Sequence, residues 1–189
     1  MIDTLMANTH RARERLPDLR SRFGLGVERY AVTTLHRPSN VDDPAILQRL
    51  LEVIAKISQQ LPVIFPIHPR TKKQIEEFKL QHLIESGNII TKEPLGYLEM
   101  LGLMANAKII LTDSGGIQEE TSILGVPCLT VRPNTERPIT VTLGTNRLVE
   151  PNEIAAAAHG ALARDWVPAD IPLWDGSAGV RIAEILADR

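Results

Sequence analysis

Short apolar runs alternate with stretches of helical periodicity from about residue 30 onward, and this alternation most narrows the folds open to the chain. Runs of four to six mostly aliphatic residues suit strands buried on both faces, as in parallel sheets covered by helices. The expected strands are Tyr30–Leu35, Pro62–Ile67, Asn88–Thr91, Lys108–Thr112, Pro127–Val131 and Asn146–Val149. Between them, Asp42 or Asp43 can cap a helix with Pro44 in its first turn. Its core stripe is Ile46, Leu47, Leu50, Leu51, Ile54 and Ile57. A polar helix is expected over Thr71–Leu80, and one after Pro94 with Tyr97, Leu98, Leu101 and Met104 facing inward. Further helices are expected over Ser114–Leu124, stopped by Gly125, and over Arg137–Leu143, with Thr135 as its cap and Pro138 in its first turn. Asn152 can cap an alanine-rich helix running to about Arg164. Six strands, each followed by a helix, predict an α/β, Rossmann-like three-layer domain with a mainly parallel sheet.

Two additions flank that core. Residues 3–22 form an arginine-rich stretch expected as one exposed helix ending before Gly24 and Gly26. Residues 165–175, rich in proline and tryptophan, lead to a last helix over 176–189. Both additions suit hinge elements touching a second domain.

The chain of 189 residues suits one domain. Aromatics make up only 4%, so the core must be aliphatic. A net charge of −2 argues against a nucleic-acid surface, which needs a clustered basic excess. Cys128, the single cysteine, lies in the apolar run Val126–Val131 and reads as an inert buried thiol. No His/Asp/Glu cluster has metal-ligand spacing, and Asp42-Asp43 reads as a helix start. His10, His82 and His159 read as surface residues, and Arg70 and Arg132 as solvated charges. No apolar stretch approaches the roughly 20 residues that span a bilayer, so no membrane contact is expected. The simplest account is a cytoplasmic protein.

One segment carries chemistry. In LTDSGGIQEE (Leu111–Glu120) a buried strand ends in a turn that opens a helix. Such turns lie beyond the carboxyl ends of parallel strands, where ligands sit in this architecture. Ser114 can cap the helix and offer a hydroxyl, and Gly115 and Gly116 leave the backbone bare. The first helical N–H groups then face an anion, helped by the helix dipole. Glu120, one turn on, could accept two hydrogen bonds from vicinal ribose hydroxyls. On residue types alone, a capped structural turn with two solvated glutamates competes on equal terms.

The run TDSGGIQEETSILGVPCLTVRPNTERPITVTLGTNRLV resembles the non-hydrolysing UDP-N-acetylglucosamine 2-epimerases. TLHRPSN (Thr34–Asn40), PIHPRT (Pro66–Thr71), EPLGYLEMLGLMANAKIILTDSGG and DGSAGVRIAEIL agree with that family in order and spacing. The resemblance implies the C-terminal half of a glycosyltransferase-B-type two-domain fold, with MIDTL near the hinge. It implies UDP or UDP-N-acetylglucosamine as ligand, no cofactor, and interconversion with UDP-N-acetylmannosamine by elimination and re-addition of UDP. Ser114, Gly115 and Gly116 would hold the diphosphate and Glu120 the ribose. Arg137 in TERP would meet phosphate, and the Leu95 backbone would meet uracil. His36 matches an active-site histidine. Arg37 and His68 fall where bacterial relatives bind a second, activating nucleotide sugar. HRPSN and HPRT, however, depart from the bacterial HRREN and HxNP, so a plain strand-ending role for His68 stays open.

The family's acid/base carboxylates lie mainly in its N-terminal domain. The resemblance therefore implies a chain that binds UDP, is inactive alone, and has that N-terminal epimerase domain as partner. Relatives are commonly homodimers. Two other functions fit less of the sequence: a non-catalytic nucleotide-sugar-binding or interaction module, and a B-type glycosyltransferase domain, against which HRPSN and TERP argue.

Overall fold

A computed structural model describes residues 1–26 and 29–188. Among them, in chain order, are α1 (Ile2–Glu14), α2 (Leu16–Phe23), β1 (Ala31–Thr34), α3 (Pro38–Val41), α4 (Pro44–Ser58) and β2 (Val63–Pro66). Next come α5 (Pro69–Glu77), α6 (Gln81–Glu85), β3 (Ile89–Lys92), α7 (Tyr97–Met104), β4 (Ile109–Thr112) and α8 (Gly115–Leu124). Then follow β5 (Cys128–Thr130), α9 (Pro138–Thr142), β6 (Asn146–Leu148), α10 (Ile154–Leu162) and α11 (Ala178–Ala187). No helix among the described residues is long and apolar enough to cross a membrane.

The six strands form one sheet in the order β3-β2-β1-β4-β5-β6, and every pairing is parallel. This is the doubly wound Rossmann order, whose chain reverses direction across the sheet between β1 and β4. Side chains alternate across the strands. Ala31, Val63, Phe65, Ile109 and Leu111 pack with Leu47, Leu50 and Leu51 of α4 and Ile154 and Ala157 of α10. Val32, Ile64, Ile110 and Cys128 pack on the other face with Leu5 and Ala12 of α1, Leu101 and Leu103 of α7, and Ile117 of α8. The result is the three-layer α/β/α arrangement expected from the alternation. Cys128 is fully buried, which pushes its thiol pKa up to about 11.

Several local expectations give way. The N-terminal stretch is two helices, broken at Arg15, because Pro17 starts α2 and cannot continue α1's hydrogen bonding. It is also not simply exposed: Leu5, Ala12 and Leu19 are buried against α7. Tyr97 is an exposed first residue of α7, and Leu103 takes the inward position instead. Asn152 does not cap α10; Glu153 holds that position, and its carboxylate accepts from the Glu150 N–H. The polar helix starts at Pro69, two residues early, because His68 is its N-cap. Asp43 does cap α4, accepting from the N–H groups of Ala45 and Ile46 at 2.8 and 3.0 Å.

The expected crossing segment after α10 docks at the foot of the sheet. Ala169 N donates to the Ser122 carbonyl at 2.8 Å. Gly125 ends α8 at φ +71°, and a Cβ there would lie 2.5 Å from Pro168 N and 2.6 Å from the Val167 carbonyl carbon. The left-handed conformation alone costs an alanine about 1–2 kcal/mol, and the backbone collision adds to it. Gly125→Ala is expected to lose more than about 2 kcal/mol, a drop of some 4 °C or more in thermal midpoint. An unchanged midpoint in a thermal melt would contradict this packing.

Candidate functional site at the sheet switch point

The carboxyl ends of β1 and β4 lie side by side, with Thr34 opposite Thr112 and their hydroxyls 2.6 Å apart. Beyond them the two strands deliver His36 and Asp113 to the crevice where the strand order reverses. Asp113 is wholly buried, yet its carboxylate is saturated. It accepts from His36 N at 3.0 Å, Arg37 N at 2.9 Å and Asn40 Nδ2 at 3.2 Å, and His36 Nδ1 lies at ion-pair distance, 2.7 Å away. Burial works to raise its pKa, but the bonds from His36 and Arg37 outweigh that and hold it below the usual carboxylate value. The same bond to Asp113 raises the pKa of His36, against desolvation and the nearby Arg37 charge.

The other residues of the HRPSN and HPRT segments gather here. Arg37 Nε donates to the Asp113 carbonyl at 3.0 Å, so its side chain folds over the turn. Asn40, also buried, donates to Asp113 and to the Val131 carbonyl, tying α3 to the end of β5. The His68 ring centroid lies 5.8 Å from that of His36. Its Nδ1 accepts from Arg70 N at 3.2 Å, so His68 does end the strand as a helix cap.

Downstream, the Ser114–Gly116 turn opens α8. Ser114 occupies the N-cap position, but its hydroxyl makes no capping bond, contrary to expectation. Its backbone is fixed instead by Ser114 N donating to Thr112 Oγ1 at 3.0 Å. Gly115 is open, since a Cβ there would meet nothing nearer than Arg132 Nη1 at 3.9 Å. Gly116 faces the Met1 side chain.

Arg132 corrects the sequence reading most sharply. It is buried, not solvated, and grips the Glu136 carboxylate at 2.8 and 2.6 Å beside Gly115. This holds the Glu136 pKa down at about 2. Arg70 is exposed as expected, and its Nε and Nη2 both pair with Asp42.

Glu120 is 7% exposed. Burial raises its pKa; a bond from the Tyr97 phenol opposes this, and the Glu119 charge adds to it. Burial also pushes the Tyr97 phenol up to about 12, with the Glu120 charge adding to that. Leu95 lies just before α7, on the rim that Tyr97 bridges to Glu120, and packs against the core beneath. Arg137 stands at the start of α9, its N–H bound to Thr135 Oγ1 at 2.9 Å. Its Nε lies 2.9 Å from the Glu119 carboxylate, near enough for an ion pair but off the hydrogen-bond line. Gln118 backs the turn: its amide oxygen takes Thr135 Oγ1 at 2.6 Å and Asn146 Nδ2 at 3.1 Å.

The structure thus brings His36, Arg37, His68 and the Ser114–Gly115 turn together, and hangs Glu120, Leu95 and Arg137 on the flanks of α8. Sequence reasoning missed Asp113, Asn40, Arg132 and Tyr97. An acid directly after the apolar run of a central strand was the available signal for Asp113. No group of metal-ligating residues occurs among the described residues. A cavity of about 690 Å³ opens at the opposite end of the sheet, lined by Arg29, Lys108, Arg164 and Trp166. There the carboxyl ends of α4, α8 and α10 converge, which accounts for cations in that rim.

Comparison with known proteins agrees with this architecture. The family described as UDP-N-acetylglucosamine 2-epimerase matches residues 1–187. The UDP-N-acetylglucosamine 2-epimerase of Methanococcus maripaludis is 45% identical over 166 residues, 84% of this chain and 44% of the relative. The UDP-2,3-diacetamido-2,3-dideoxy-D-glucuronate 2-epimerase of Pseudomonas aeruginosa is 38% identical over 162 residues, 84% of this chain and 44% of that protein. The crystal structure of the Methanocaldococcus jannaschii UDP-GlcNAc 2-epimerase, in complex with UDP-GlcNAc and UDP, superposes on all of this chain and 53% of its own. Its identity is 42% and its TM-score 0.85. The chain spans about half the length of the relatives it matches. A family match over residues 1–187, on a doubly wound parallel sheet, places the chain in the UDP-N-acetylglucosamine 2-epimerase family.

Proposed function

We propose that this chain is the UDP-holding half of an enzyme that interconverts UDP-N-acetylglucosamine and UDP-N-acetylmannosamine in the cytoplasm. The observation that carries the reading is the turn at the switch point, open at Gly115, with a basic and imidazole cluster on one side and the buried Glu120 on the other. Ser114 and the N–H groups of α8 receive the diphosphate, with Arg137 reinforcing them. Glu120 accepts the ribose hydroxyls, and the Leu95 backbone meets the base edge. His36 lies where the departing phosphate would take a hydrogen bond, and Arg37 and His68 line the entrance beside it. Relatives of two sugar specificities share this half, so the reading commits to UDP more firmly than to the sugar.

The remaining carboxylates belong to a second domain. The last helix supports that assignment, because Val180, Ile182, Ile185 and Leu186 are all exposed on α11 and want a cover. Calorimetry with UDP tests the binding reading, and no heat at millimolar UDP would end it. Mixing this chain with the N-terminal half of an archaeal relative should yield epimerisation that neither half has alone. Two halves that bind each other without turnover would favour a non-catalytic nucleotide-sugar module.

Glu120→Gln separates ligand from fold. Charged hydrogen bonds contribute about 1.5–3 kcal/mol, so UDP affinity should fall roughly 10- to 100-fold. Stability should move the other way. A carboxyl whose folded pKa is raised favours the fold when protonated, and that advantage is lost as pH rises through the folded value. At neutral pH the amide escapes this loss, so urea melts should show the variant at least as stable as the parent. UDP binding by the parent should weaken as pH falls toward the raised Glu120 pKa. Unchanged UDP affinity in Glu120→Gln would remove Glu120 from the site.

A further inference from the structure

We propose that Asp113 is the positioning residue of the site: its carboxylate holds His36 as the Nδ1–H tautomer and turns Nε2 outward as the hydrogen-bond donor to the nucleotide's phosphate. The ligand half of this inference rests on the UDP reading above; the tautomer half does not.

The argument begins with donors and acceptors. An ionised carboxylate can only accept. Asp113 is wholly buried and its carboxylate lies 2.7 Å from His36 Nδ1, a distance at which two lone pairs would repel, so that nitrogen carries a proton in both charge states of the ring. The imidazole alone in water favours the opposite tautomer. The ring is 42% exposed, with Nδ1 turned onto the buried acid, so the free edge carries Nε2 toward the crevice. The same carboxylate takes the backbone N–H groups of His36 and Arg37, which fixes the ring's own backbone and not only its tip. Asn40 completes the cage and anchors it to β5.

The charges around the pair decide whether Nε2 acts as donor or acceptor. Asp113 faces the ring from β4, Arg37 from its own loop and His68 from the start of α5. Asp113 is also felt by Arg132, whose pKa its charge helps to raise. The one full negative charge is in direct contact with the ring, so the protonated form is favoured relative to a free histidine. A diphosphate in the turn would add negative charge on the Nε2 side and favour it further. An imidazolium with one N–H committed to Asp113 then has one N–H left for phosphate.

The test uses the full chain with ¹⁵N-labelled histidine. Long-range ¹H–¹⁵N spectra are followed over about pH 5 to 9, the range in which histidine titrates, and His36→Gln identifies the signal. In the unsubstituted chain, neutral His36 should show the Nδ1–H pattern, with a midpoint above the ordinary 6.5. The opposite tautomer with a midpoint at or below that value overturns the proposal without any variant having to fold. In Asp113→Asn the midpoint should fall and the Nδ1–H preference should be lost; retention of both overturns it equally.

Saturating UDP should raise the His36 midpoint by about one pH unit, a tenfold tighter hold on UDP by the protonated form. Calorimetric binding with no movement of the midpoint removes His36 Nε2 from the phosphate. If UDP fails to bind at all, the functional reading falls and the ligand half of the inference falls with it. The tautomer result then stands or falls on its own spectrum.

Discussion

Asp113→Ala is expected to cost about 3–5 kcal/mol of folding stability, the range found when one partner of a buried ionic network is removed. The carboxylate accepts from the backbone N–H groups of His36 and Arg37 and from the Asn40 amide, and it pairs with His36 Nδ1. Alanine would leave the part-buried N–H groups of His36 and Arg37 without this acceptor, each with a desolvation penalty of about 1–3 kcal/mol, and would strip Asn40 of one of its two bonds. Domains of ordinary stability have about 5–15 kcal/mol in hand, so the variant should sit near the edge of folding. Urea denaturation followed by circular dichroism measures the loss. A change below about 1 kcal/mol would show that the network does not hold the β1 and β4 ends together.

The pair also gives a pH signature. Asp113's folded pKa is lowered, so its contribution is present above the unfolded value near 3.8 and is lost as pH falls through the folded value. His36 runs opposite: its folded pKa is raised, so its contribution is complete below 6.5 and disappears as pH rises through the folded value. Stability from this network should therefore be greatest in mildly acidic solution.

Gly115→Val should abolish detectable UDP binding, with at least a 100-fold loss of affinity, equal to about 2.7 kcal/mol, while the chain keeps its fold. A Cβ at Gly115 would meet no protein atom nearer than Arg132 Nη1 at 3.9 Å, so the backbone of the turn leaves room for the first carbon of a side chain. The space it fills is where a phosphate must approach the first N–H groups of α8. Loss of charge-assisted bonds to two phosphate oxygens is enough for the expected effect. The paired measurement is calorimetry with UDP beside a thermal melt. A parent-like melt with unimpaired UDP binding would falsify the assignment of this turn. A collapsed melt would instead return Gly115 to a structural role, the reading that competed evenly for LTDSGG on residue types alone.

Sequence and structure divided the information according to range. Periodicity and caps are local, so the six strands, the Asp43 cap on α4 and the Gly125 stop on α8 could be read from neighbouring residues alone. Tyr97 shows where locality misleads. Helical spacing puts it on the same stripe as Leu101, but it is the first residue of α7 and reaches sideways to Glu120. Arg132 shows the same for charge. An arginine after a strand reads as solvated until Glu136, four residues on, folds back to meet it beside Gly115.

The sequence by itself determined the α/β class, a core that is mainly aliphatic apart from Phe23, Tyr30 and Phe65, the position of the LTDSGG turn at a strand end and the family to which those residues belong. It could do so because each depends on residues close together in the chain or on a long ordered run. Only the tertiary structure decided what His36 is. Thr34 and Thr112 are 78 residues apart in the chain, and the reversal of strand order lays them side by side. That juxtaposition sets the His36 ring on a buried carboxylate that follows a different strand, and no local pattern encodes which strands become neighbours.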